Sequence, residues 1–106
     1  MVLDILAMIL IGAATLGAAI VVIHIITLTL EFIIDWFRDS AAEVENDPTK
    51  LAVTVAEQLA SGNVSYVQGI FNTDTRAFVK ARRIKAKEAE AAVKAEHKKH
   101  QVAVWS

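Results

Sequence analysis

The chain has 106 residues, 55% of them hydrophobic, with no cysteine and a net charge of −1. That length holds one small domain, and the missing thiols exclude a disulfide framework, thiolate catalysis and cysteine-held zinc or iron–sulfur sites. The near-neutral balance hides an asymmetry: residues 1–48 carry seven acids against one base, whereas residues 49–106 carry ten bases against five acids.

From Ile5 to Leu30 the chain is an almost unbroken apolar run, with no Lys or Arg before Arg38. As a helix this run is about 39 Å long, enough to cross a ~30 Å hydrocarbon core with some tilt. A lone span must be helical, because lipid offers no partner for backbone N–H and C=O groups. The expectation is an integral, single-pass membrane protein. Residues 1–39 would be the transmembrane helix with an interfacial extension, 40–48 an acidic connector and 49–106 a small α+β domain. Lys and Arg near the membrane lie only on the C-terminal side, at Arg38 and Lys50, which places that domain in the cytoplasm. A cleaved signal peptide fits less well, since the N-terminus has no base and the run is about twice too long. Trp36, Phe37 and Arg38 are the expected interface anchors.

Polar residues in a span rarely face lipid. Gly17, His24, Glu31 and Arg38 are spaced by seven, so on a helix they form one slowly drifting row. Ala13 falls in its arc, Thr27 borders it and Asp35 lies beside Glu31. The predicted helix-packing face is therefore Ala13, Gly17, His24, Thr27, Glu31 and Asp35. Ala13/Gly17 and Ala14/Ala18 are small-x-x-x-small pairs, which let a second transmembrane helix approach closely. His24 has three readings: a neutral imidazole bonded across the helix interface, a proton-relaying ring in a homo-oligomeric pore with Glu31 below it, or a haem or chlorophyll ligand. Ile20, one turn earlier, clears no slot for a flat macrocycle. Glu31 and Asp35 also fit a plain interfacial role, with Asp35 placed for an i,i+3 pair with Arg38.

Beyond the acidic connector, Asp47-Pro48 reads as an N-cap with proline at the first helical position. Leu51, Ala52, Val55, Ala56 and Leu59 share one face of a short helix over 49–61, with Gly62-Asn63 as its stop. The period then alternates: 64–71 and 76–85 read as a β-hairpin around Asn72-Thr73-Asp74-Thr75. Residues 85–99, rich in Ala, Glu and Lys, read as a helix, and 102–105 as a short strand. The soluble part is thus α-β-β-α-β, a three-stranded antiparallel sheet under one or two helices. Its expected core is Leu51, Val55, Leu59, Tyr66 or Val67, Ile70, Val79, Val93 and Val104, close to the lower limit for independent stability.

Lys80, Arg82, Arg83, Lys85 and Lys87, with Lys98 and Lys99, define a basic surface. Anionic lipid headgroups or the acidic connector would suit it; without interleaved aromatics or a recognition module it argues against nucleic acid. No phosphate loop, zinc-protease or nucleophile-elbow motif occurs. His97 and His100 beside Glu96 are a minimal metal pair, and Tyr66, Asp74 and Ser65 make no convincing triad. The reading is a non-enzymatic accessory subunit of a larger membrane complex, bound to the bilayer and other transmembrane helices, with no cofactor. The alternatives are the His24/Glu31 pore and a tetrapyrrole protein built on His24.

Overall fold

The apolar run breaks where its side chains become β-branched. Val21, Val22, Ile23, Ile25, Ile26 and Thr27 all carry branched Cβ atoms, which restrict χ1 in a helix and pack well on a pleated surface. The computed structural model describes residues 5–16, 20–44, 47–58, 64–97 and 101–105. The described residues up to Asp39 contain helix α1 (Ile5–Thr15), strand β1 (Val21–Leu28) and helix α2 (Leu30–Asp39). A short helix α3 (Ala41–Val44) follows, then β2 (Lys50–Gln58), β3 (Val64–Asn72), β4 (Ala77–Ala89), α4 (Ala91–Glu96) and β5 (Val102–Trp105).

The five strands form one mixed sheet in the order β1-β4-β3-β2-β5. β1 runs parallel to β4, with His24 opposite Lys85, while the other three pairings are antiparallel. Helix α1 covers one face, burying Ile9 and Ala13 against Val53, Val55, Val67 and Phe71. Helices α2 and α4 cover the other, where Ile33 and Val93 meet Tyr66, Ile84 and Ala86.

Among the described residues no helix is long and apolar enough to cross a membrane. That overturns the expected single-pass transmembrane helix, the integral-membrane placement with a cytoplasmic domain, and the three-stranded sheet. The apolar run is instead divided between a helix on the sheet and a strand within it. Within that run Ile9, Ala13 and Leu28 are buried by the chain itself, whereas Ile5, Ile11, Val21, Val22 and Ile26 stay exposed.

Three further segments differ from expectation. Residues 50–58 are strand β2, not a helix: Leu51, Val53 and Val55 alternate with Ala52, Thr54 and Ala56, and neighbours on both sides reward that period. The β3–β4 hairpin forms where alternation places it, with Asn72 Oδ1 accepting from the amides of Asp74 (2.8 Å) and Thr75 (3.1 Å). β4 then runs on to Ala89, because pairing with β1 and β3 outweighs the helical propensity of 85–89, and only Ala91–Glu96 remain helical. Of the expected core, Val55, Tyr66, Val67, Ile70 and Val93 are buried, Leu51 packs at the edge of the α1 cluster, and Val79 and Val104 are exposed. Leu59 lies outside the described residues, as do Gly17, Gly62, Asn63, Lys98, Lys99 and His100.

Candidate functional site

The stripe expected on one helix is distributed over three elements. Ala13 is buried under α1, His24 and Thr27 are exposed on β1, and Glu31, Asp35 and Arg38 lie on the solvent side of α2. Helical periodicity no longer relates His24 to Glu31, so no shared lumen-facing row exists. Thr27 instead donates to Glu88 Oε1 at 2.9 Å, and Asp35 pairs with Arg38 at 3.3 Å. The aromatic anchors turn toward the sheet, while Arg38 stays exposed: Trp36 lies beneath Lys80 (5.1 Å) and Arg82 (5.2 Å), and Phe37 packs near Trp105.

The basic run is likewise divided by strand alternation, which sends successive residues to opposite faces. Lys80 and Arg82 face α2, whereas Arg83, Lys85 and Lys87 fall on the α1 side. Arg83 is held there by Glu57 at 2.9 Å, and Ser65 donates to the same carboxylate. Arg82 is tied further: its Nε donates to Gln68 Oε1 (2.8 Å), its guanidinium stacks on Phe32, and burial lowers its pKa. The fully buried Gln68 passes the contact on by donating to the Ile33 carbonyl at 2.8 Å. These groups clamp α2 to the sheet.

A nucleophile-and-base geometry occurs once in the described residues. Thr54 Oγ1 lies 2.8 Å from His97 Nε2, and His97 Nδ1 lies 3.0 Å from the Gln101 carbonyl. A carbonyl only accepts, so Nδ1 carries the proton and Nε2 accepts from the threonine hydroxyl. Sequence reasoning missed this pairing, since 43 residues separate its members. Yet Thr54 is fully buried and also accepts from Trp105 Nε1 at 2.9 Å. No reacting atom reaches it, and the network ties β2, α4 and β5 together.

Two surface depressions flank α2. One, of about 430 Å³, is lined by Glu31, Asp35, Arg38 and Glu90; the other, of about 470 Å³, lies among Ile34, Phe37, Ala41, Val44 and Trp105. Among the described residues, no three His, Asp or Glu come together to hold a metal ion.

The remaining feature is β1 itself. It occupies a sheet edge, and among the described residues nothing pairs with its outer side. Val21 is 67%, Val22 39% and Ile26 70% exposed. Natural edges are usually short, charged, bulged or proline-bearing, devices that prevent unwanted strand addition. This edge is eight residues long, contains no Lys, Arg, Asp, Glu or Pro, and pairs without a bulge. Alternate residues of a parallel edge strand turn N–H and C=O outward, so the surface offers a hydrogen-bonding ladder and branched apolar side chains together. Searches of protein-family profiles, curated proteins and solved structures return no match to this chain.

Proposed function

We propose that this chain is a non-catalytic assembly subunit that docks an extended segment of a partner along the open edge of β1. The observation that carries this reading is that edge: eight mostly β-branched residues without Lys, Arg, Asp, Glu, Pro or a bulge and, among the described residues, without an outer partner. In strand addition, main-chain hydrogen bonds supply affinity, and side-chain contacts on alternating positions supply selectivity. The partner chemistry that suits Val21, Val22 and Ile26 is an uncharged strand rich in branched aliphatic residues. A charged strand would lose solvation here without gaining a counter-ion on β1. The accessory role expected from the sequence is kept, with the contact moved from a helix face to a sheet edge.

The test is a double substitution, Val22→Lys with Ile26→Lys, in the full chain. Both side chains are exposed, so the fold should melt within a few degrees of the unmodified protein. Native electrophoresis of cell extracts should show the unmodified chain in a larger species and the variant as a free monomer. The reading fails if the variant remains in the same larger species, or if the unmodified chain is monomeric in the extract as well as when purified.

A further inference from the structure

Resting on the strand-docking reading, we infer that the strand completing the β1 edge is β1 of a second copy, paired antiparallel about a two-fold axis through His24. Such an interface is isologous: each residue i meets residue j while j meets i. Antiparallel pairing also keeps facing side chains on the same side of the sheet only when the axis passes through a residue. With the axis at His24, Ile23 faces Ile25, Val22 faces Ile26 and Val21 faces Thr27, so each of these pairs joins two β-branched side chains. Pairs of this type are favourable across antiparallel strands. Moving the axis to Ile23 leaves Ile26 and Thr27, both paired about His24, without strand partners. Moving it to Ile25 sets Val22 against Leu28, whose side chain is fully buried in its own protomer.

Charge and area agree with a second copy. No Lys, Arg, Asp or Glu lies on β1, so self-pairing sets no two such side chains against each other. Lys85, Arg83 and Lys87 stand on the neighbouring strand, and in the paired sheet β4 and its copy lie three strand spacings apart, about 14 Å. The edge is roughly 26 Å long at ~3.3 Å per residue, on a body 28 Å across its shortest dimension. The face that carries it spans roughly 26 by 28 Å, on the order of the ~800 Å² per partner of a stable interface. The product is one continuous sheet of ten strands.

The chain lacks cysteine, which permits a register-specific test by single introduced thiols. Only a residue on the axis faces its own copy. Under mild oxidation His24→Cys should cross-link to itself, since opposed Cβ atoms of ~4.5–5.5 Å approach disulfide reach. Val22→Cys alone should not cross-link, but mixed with Ile26→Cys it should form the heterodimer. By sedimentation the purified protein should have twice the chain mass, and His24→Lys should weaken association by roughly tenfold or more, because like charges then oppose on the axis. Circular dichroism of each variant confirms that the fold is retained. Self-cross-linking of Val22→Cys, or none by His24→Cys in a protein that is dimeric, overturns this inference. So does a purified monomer that binds only anionic vesicles. A purified monomer whose larger species in extracts still depends on Val22 and Ile26 overturns self-pairing but leaves the strand-docking reading standing; loss of that dependence as well removes both.

Discussion

Replacing Gln68 with Leu probes the attachment of α2 to the sheet. The Gln68 amide is fully buried and bridges two elements, donating to the Ile33 carbonyl and accepting from Arg82 Nε, both at 2.8 Å. Leu has a similar volume, so little cavity forms and the loss is polar. Removing the partner of a charged donor costs about 1.5–3 kcal/mol, and removing a bond to the carbonyl about 0.5–1.5 kcal/mol. The carbonyl retains its place in the helical ladder, and added apolar burial offsets part of the loss, so a net destabilisation of about 2–3 kcal/mol is expected. A chain of this length has a stability of roughly 5–15 kcal/mol, so this is a large share, corresponding to a fall in melting temperature of about 10 °C or more. Urea unfolding followed by circular dichroism and by tryptophan emission measures it; Trp36 is an apt reporter because it lies 5.2 Å from the Arg82 guanidinium. The cycle with Arg82→Met should show a coupling of at least about 1 kcal/mol, as expected for residues sharing one network. A Gln68→Leu protein within about 0.5 kcal/mol of the parent, or additive single effects, would refute the claim that this bridge holds α2 in place.

Two other perturbations test the packing and the acid limb. At Gly69 an added Cβ would lie 2.6 Å from Phe78 Cδ1 and 2.7 Å from the Lys80 carbonyl oxygen. The ring can rotate but the backbone oxygen belongs to the sheet, so Gly69→Ala should lose about 1–3 kcal/mol, and adding Phe78→Ala should not restore it; an unchanged thermal midpoint would contradict this. At the start of β2, the hydroxyl and then the amide of Thr49 hold the Asp47 carboxyl below its ordinary 3.8, with the Lys50 charge helping and partial burial opposing. A depressed folded value means stability that is present above the unfolded pKa and is lost as pH falls through the folded one. Asp47→Asn should therefore lower the melting temperature at neutral pH, with the difference closing below about pH 3.8; a difference that persists unchanged at pH 2 would rule out the carboxylate as its source.

The local signals of this chain were legible wherever they were both strong and unopposed. The alternation of 64–71, the turn residues from Asn72 to Thr75 and the final Val102–Trp105 run lead directly to β3, the hairpin and β5, since branched and aromatic residues on a period of two suit one face of a sheet. Asp47 reads as a helix N-cap, but no helix follows it: its carboxylate accepts from Thr49 Oγ1 at 2.6 Å in a turn that leads into β2. At 50–58 the residues Leu51 and Val55 fit either period, and Val53 was the sign of the strand.

Hydropathy marks residues 5–30 as an apolar run; it carries no information about which of them are covered, or by what. That choice lies between lipid and the chain's own sheet, and only the tertiary fold makes it, because β4 supplies β1 with hydrogen-bond partners more than fifty residues away in sequence. The six β-branched residues between Val21 and Thr27 were the local hint, outweighed by the length of the apolar run. Likewise, Lys85 to Ala89 prefer helix in isolation and become strand because β1 pairs along them, with β3 a second neighbour as far as Ala86. The proposed site is tertiary in the same way: the sequence holds branched residues on both sides of His24 and no Lys, Arg, Asp or Glu among them, and only the strand order leaves that segment at an edge, where backbone groups can accept another chain.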